Sequence, residues 1–330
     1  MMHRYFVIPM VVFFAVVLAF VIYLQVINDN WKYLVPKPTL PDSCNDNENI
    51  QLVVHEEDKI NGRSFKDKKD IAEFKNQIHA ILLLPCESED RKLDVNLNMQ
   101  SSLLAINSWF QNKSLNQQIN FDTTIDGNID VTFLRVNKSM KWFMNSKIFD
   151  QNNNEIGISE KVEKIIIDNQ NIFKNYDNKK FIVFFEGWEK RKYLNYDICG
   201  KSRHNGKVAV YFTSSPFKKY IGNDIILKNN KRIFSCTKND HLNDINDLEF
   251  GDAEVTILHE ILHTLGAPSR CGKNLDNSSH HVQDNKDDIL YRISGKNYLD
   301  FNNDDYYNHN IENCFDLKNS IYLKNYKELS

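Results

Sequence analysis

Apolar runs and polar punctuation divide the chain into an orderly succession of predicted elements. Ile78 to Leu84 is a short apolar run closed by Pro85, the pattern of a buried strand. Asp94 to Phe110 carries Leu97, Leu103, Leu104, Ile106 and Trp109 at helical spacing. Ile129 to Val136 reads as a strand, and Ser159 opens a helix running to about Tyr176 with Glu163 in its first turn. Phe181 to Phe185 and Val208 to Phe212 read as further buried strands. The last strongly patterned stretch places Val255, Ile257, Leu258, Ile261, Leu262 and Leu265 on a helix with a wide apolar surface. Asp252 and Glu254 suit its N-terminal end, and Gly266 followed by Pro268 suits its stop. Strand, helix, strand, helix, strands, helix predicts an α/β (α+β) architecture with a mixed sheet, followed by an irregular C-terminal lobe. Val208 to Phe212 is the expected edge strand.

The N-terminal pattern is different. Tyr5 to Leu24 is a continuous apolar run interrupted only by Pro9, and twenty residues at about 1.5 Å each span a bilayer core of roughly 30 Å. No A-x-A-like cleavage site follows, and His3 and Arg4 precede the run. The expectation is one transmembrane helix, a signal-anchor over residues 1–27, with the rest of the chain outside the cytoplasm; a cleaved signal peptide and secretion is the alternative. Residues 28–50, with Pro36, Pro38 and Pro41, read as a linker, and residues 51–330 as the functional domain. Six cysteines in an exported chain are expected to pair. Their order favours Cys44–Cys86, Cys199–Cys236 and Cys271–Cys314.

The apolar C-terminal helix contains His259-Glu260-Ile261-Leu262-His263, an HExxH motif. Two histidines four apart share a helix face and can reach one Zn²⁺, while Glu260 beside them can hold water instead of metal. With 10 His and 16 Glu in 330 residues, random placement produces roughly 0.015 such matches per chain, so coincidence is the weaker explanation. Burying two histidines is costly unless their nitrogens find partners, and a metal supplies one.

A catalytic zinc takes a third protein ligand. No glutamate occurs between Ile261 and Ile311, which argues against zincins that take one from a later helix. The compact HExxHxxGxxH form of metzincins is broken as well, because Ser269 stands at the third histidine position. Farther on lie His280-His281-Val282-Gln283-Asp284, Asp287-Asp288-Ile289-Leu290-Tyr291 and Leu299 to Tyr307. With His259 to Ala267 and Cys271, these segments resemble an exported metzincin-like peptidase family with the pattern HExLHTLGA, cysteine, GHVxD, DLMY, LDxxxDDYY. Here the segments read HEILHTLGA, HHVQD, DDILY and LDFNNDDYY. Weaker likeness through residues 121–123 and 130–135 extends the resemblance over most of residues 75–324. It implies a metzincin-like catalytic domain with His281 as third ligand; His280, Asp284 and Asp276 are the alternatives. It also implies that DDILY is the tight turn beneath the metal, with Leu290 in place of methionine, a volume-conserving change. Tyr291 is the implied oxyanion stabiliser, in competition with Tyr306 and Tyr307.

The expected function is peptide-bond hydrolysis by a zinc-activated water with Glu260 as general base, on a peptide or protein substrate. The alternative is an exported binding or structural protein on a zincin scaffold with an inactive or structural metal site. No G-x-S-x-G, P-loop or G-x-G-x-x-G competes. A net charge of −3 without a large basic patch does not indicate nucleic acid as a partner. Asp300, Asn302, Asp304 and Asp305 offer oxygens that suit Ca²⁺, but the loop lacks an EF-hand's glycine and closing glutamate, which favours a solvated turn. Asn112, Asn137 and Asn277 begin glycosylation sequons.

Overall fold

The computed structural model describes residues 44–330, except 69–75, 151, 154, 191–196, 214–225, 229–230, 234–241, 245–246, 277–278, 293–294 and 327–330. The expected membrane segment and Cys236 lie outside the described residues. No described helix is long and apolar enough to cross a membrane. Residues 1–41 and 42–330 form separate units, and the second contains all the described secondary structure.

The centre of this second unit is a six-stranded sheet built from β1 (Leu52–Val53), β2 (Gln77–Leu84), β3 (Val131–Val136), β4 (Lys179–Phe185), β5 (Gly200–Ser202) and β6 (Val208–Phe212), in the spatial order β1-β3-β2-β4-β6-β5. Strands β3, β2, β4 and β6 run parallel, and the short edge strands β1 and β5 run antiparallel to their neighbours. Alternation along β2 divides the core. Ile78, Ala80, Leu82 and Leu84 face one side with helices α1 (Asn98–Lys113) and α4 (Asp252–Thr264). Ile81 and Leu83 face the other with α2 (Met140–Asn145) and α3 (Ile158–Asp168). A strand covered on both faces is largely apolar, and the buried exception within the run, His79, has its ring nitrogens bonded to Asp122 and Thr132.

The predicted helix from Ser159 ends earlier than expected. Helix α3 stops at Asp168 and gives way to 3-10 turns at Gln170–Ile172 and Tyr176–Asn178. The edge assignment also changes: β6 is an inner strand, and β5 is the edge. Gly-Lys-Ser carries no apolar signal, so the pattern that identified β6 passes over its neighbour.

Cysteine order is borne out at both described bridges, Cys44–Cys86 and Cys271–Cys314, whose Cα atoms lie 5.4 and 5.7 Å apart. Residues 44–50 are tied to the sheet domain: Lys138 Nζ donates to the carbonyls of Asn45 and Glu48, and Asp46 accepts from the Ser139 amide and hydroxyl. Asn137 is buried, with its amide bonded to the backbone of Gln51 and Asn49, so that sequon is not available for a glycan.

Beyond α4 the chain forms loops held largely by carboxylates. A small hairpin pairs β7 (Leu275–Asp276) with β8 (His281–Val282). Asp288 accepts from the amides of Leu290, Asp300 and Phe301 and from the Tyr306 hydroxyl. Asp300 accepts from the amides of residues 304 to 307. Regular ladders are few here among the described residues, and these buried side-chain acceptors satisfy backbone donors in their place.

Candidate metal centre

Helix α4 is closed by its own sequence. Gly266 adopts φ +92°; its amide donates to His263 O, and the Ala267 amide donates to Leu262 O, the paired bonds of a Schellman stop. That reversal brings the Ala267 carbonyl to His263 Nδ1 at 2.9 Å. His259 Nδ1 meets the Ile289 carbonyl at 2.7 Å. A carbonyl only accepts, so each ring carries its proton on Nδ1 and presents a lone pair at Nε2. The two Nε2 atoms face each other 3.0 Å apart. Burial holds both rings neutral: desolvation, then the neighbouring imidazoles, pushes His259 down to about 3 and His263 well below its usual range.

His281 completes the group. Its ring centroid lies 5.1 Å from those of both His259 and His263, and one nitrogen from each ring falls within 4.8 Å of the others. Hairpin pairing and a bond from the Val282 amide to Leu290 O at 3.0 Å set its position. The adjacent His280 has φ +54° and turns away to stack on His204 at 4.6 Å. Asp276 accepts from the Ser279 hydroxyl, and Asp284 gathers with Asp304 and Asp305, so neither joins the histidines among the described residues. Ser269, at the compact motif's third histidine position, sits instead against the sulfurs of Cys271 and Cys314.

The turn at residues 287–291 lies directly under this group. Ile289 supplies the carbonyl that orients His259, and Leu290 is fully buried. Tyr291 is half-buried against the main core and bridges to Val282, beside His281. Its two competitors have other partners: the Tyr306 hydroxyl donates to Asp288 at 2.9 Å, and that of Tyr307 donates to Gln117 Oε1 at 2.9 Å. Of the acidic run, Asp300 holds four backbone amides of its own loop.

Glu260 points to the sheet edge. Its Oε2 accepts from Ser202 Oγ at 2.6 Å. A Cβ at Gly200 would meet Glu260 Cγ at 2.6 Å and Thr256 Cγ2 at 2.9 Å, so only glycine lets β5 approach the helix this closely. Desolvation raises Glu260 to about 7, partly offset by Ser202 and by the charge of Lys201. Gly200 and Ser202 were not legible as site residues, because nothing in a three-residue polar strand announces that it crosses a helix 58 residues later.

Neutral His259 and His263 with unprotonated Nε2 atoms, and a His281 nitrogen within 4.8 Å of both, are a donor set that fits a divalent transition metal, and the carbonyl partners of His259 and His263 are the usual outer-shell orienting groups. A buried carboxylate with a pKa near neutrality beside them is equipped to exchange protons.

No family model matches this chain, and no curated protein matches it. Among solved structures it is similar to catalytically inactive OgpA from Akkermansia muciniphila in complex with an O-glycopeptide (glycodrosocin) substrate, with 10% identity and a TM-score of 0.34. That similarity covers 79% of this chain, which spans 62% of the other.

Proposed function

We propose that the chain is a zinc-dependent peptidase, anchored by its N-terminal segment outside the cytoplasm, with His259, His263 and His281 holding the metal. The observation that carries the reading is the pair of Nε2 lone pairs of His259 and His263 facing each other 3.0 Å apart, with both Nδ1 atoms committed to carbonyls. Without a cation between them this arrangement is repulsive, so the fold maintains it at a cost that metal binding offsets. Three histidines with one position left for water is an established catalytic zinc set. When bound, zinc supplies Lewis acidity, lowering the pKa of a water and polarising a carbonyl.

The chain's own groups do the rest. Glu260, raised to about 7 by burial, accepts the proton of the attacking water and returns it to the leaving amine. Ser202 keeps the carboxylate oriented from the edge strand. Tyr291, beside His281, is assigned the role of donor to the developing oxyanion. A peptide substrate would extend the sheet along the outer side of β5, the edge strand among the described residues, with main-chain bonds holding the scissile amide near Glu260. The Cys44–Cys86 and Cys271–Cys314 bonds accord with an oxidising compartment.

The test uses the soluble unit Asp42–Ser330, which retains Cys44. Metal analysis and peptide-library cleavage are compared for wild type and Glu260→Ala. The expected result is one zinc per chain in both, with cleavage by wild type only. If wild type takes up no zinc and both proteins leave the library intact, the peptidase reading fails.

A further inference from the structure

Past the edge strand β5 the chain stays beside helix α4. Ser202 bonds Glu260, and farther on the Asn205 amide donates to His263 O at 2.8 Å. His204 lies between them. Its Nε2 is 2.9 Å from the carbonyls of both Gly266 and Pro268. A carbonyl only accepts, so this nitrogen carries a proton and the ring is fixed. The His280 imidazole stacks on it, with centroids 4.6 Å apart and planes 15° from parallel. His280 adjoins His281, so the stack stands beside the group His259, His263 and His281, yet neither ring has a part in the proposed hydrolysis.

The corner around this stack is cationic. Arg270, two residues past Pro268, is exposed and has no hydrogen-bond or acidic partner among the described residues. Its charge reaches the stack: burial, then His204 and Arg270, hold the His280 imidazole below its usual range, and no carboxylate offsets them. The acids nearest in sequence have other neighbours: Asp276 accepts from the Ser279 hydroxyl, and Asp284 gathers with Asp304 and Asp305. Arg203, the other guanidinium on this stretch, differs in having Glu163 at 3.7 Å.

We infer that this corner is a subsite for a substrate carboxylate, with Arg270 as its charged partner and the His204–His280 stack as its wall. The inference rests on the reading of β5 as the strand that receives the peptide. A substrate strand advances about 3.3 Å per residue, with side chains alternating between faces. The side chain that passes residue 204 is therefore about two residues from the one that passes Ser202 and Glu260. A guanidinium holds a carboxylate through paired N–H donors and opposite charge, and a neutral amide of the same shape lacks the charge. The stacked imidazoles are half-buried and offer this planar group a flat face. Such a carboxylate occurs on an aspartate or glutamate side chain and at the C-terminus of a peptide.

Fluorescence anisotropy tests this with the full chain carrying Glu260→Gln, which binds peptides without turning them over. The probes are labelled peptides with one glutamate moved through a glutamine background, and the all-glutamine peptide ending in a free acid or an amide. One glutamate position, or the free terminus, should bind about tenfold tighter than its neutral counterpart, the gain expected for one charge-assisted bond. A glutamate position identifies a side chain, and the free terminus identifies a terminal carboxylate. Adding Arg270→Gln should bring that ratio close to one, and Arg270→Glu should turn the preference toward lysine. Arg203→Gln should keep the tenfold ratio. No binding of any peptide, no acid–amide difference at any position, a preference that survives Arg270→Gln, or one that Arg203→Gln removes equally would each overturn the proposal. The readout is independent of turnover: an Arg270-dependent preference in a protein whose wild type cleaves nothing would leave the subsite standing and remove the hydrolysis.

Discussion

The helix that bears His259 and His263, Asp252–Thr264, and the loops of residues 275–307 meet at one point but are held in place differently. The helix is specified locally: apolar spacing faces it to the sheet, Glu254 caps its start, and Gly266 stops it and delivers the Ala267 carbonyl to His263. The loops have almost no ladder of their own. They rest on two buried carboxylates, Asp288 and Asp300, which together accept from eight donors spread along residues 290–307. A helix can therefore present two of the three imidazoles from its own sequence, whereas His281 depends on loop groups as far along the chain as Tyr307.

The largest effect tests whether the helix half alone carries the chemistry. Glu260→Gln should lower peptide hydrolysis by about a thousandfold, at the scale of a lost general base, while zinc content stays at the wild-type level. Next is the loop half's ligand. His281→Ala should weaken zinc binding by more than the ~10–100-fold typical of an outer-shell loss, whereas His280→Ala should leave it nearly unchanged, as competition against a chelator would measure. Equal losses at 280 and 281 would remove the distinction drawn between them. Asp288→Ala strands three amides and a hydroxyl, and should cost roughly 3 kcal/mol in denaturant unfolding, with loop amides losing hydrogen-exchange protection before those of the helix. Gly266→Ala should cost about 1–2 kcal/mol, because φ +92° is strained for any residue with a Cβ.

The smallest effect is a difference of sign with pH in the metal-free protein. Burial pushes Asp288 up to about 7 and Asp300 up to about 6, against the donors that favour their ionised forms. Both then bind protons more tightly folded than unfolded, so their contribution is present below about pH 4 and is lost as pH rises toward 7. His259 runs the other way: its folded value of about 3 lies below the unfolded 6.5, so its contribution is present above pH 6.5 and is lost on acidification. Hydrogen exchange, corrected for intrinsic rates, should show the loop amides opening more at pH 8 than at pH 5.5 and the helix amides the reverse. The same trend in both halves would break the contrast.

The strands β2, β3, β4 and β6 were readable because burial on one or both faces leaves an apolar trace in a few consecutive residues. The same holds for α1 and α4, within a few residues at their ends. The two described disulfides agree with cysteine order. Strand β5 was not readable: two of its three residues are polar, and its role depends on Gly200 lying against Glu260. The inner position of β6 was hidden for the same reason, since an edge is a property of the neighbour and not of the strand.

By itself the sequence determined the helix that bears His259, Glu260 and His263, its stop at Gly266, and the alternating core of the sheet, because each arises from interactions among residues close along the chain. Only the tertiary structure decided which of His280 and His281 faces the helix pair, which tyrosines are committed elsewhere, and that Ser202 meets Glu260. Those outcomes depend on where hydrogen-bond donors and acceptors distant in sequence find one another, and residue spacing does not encode that.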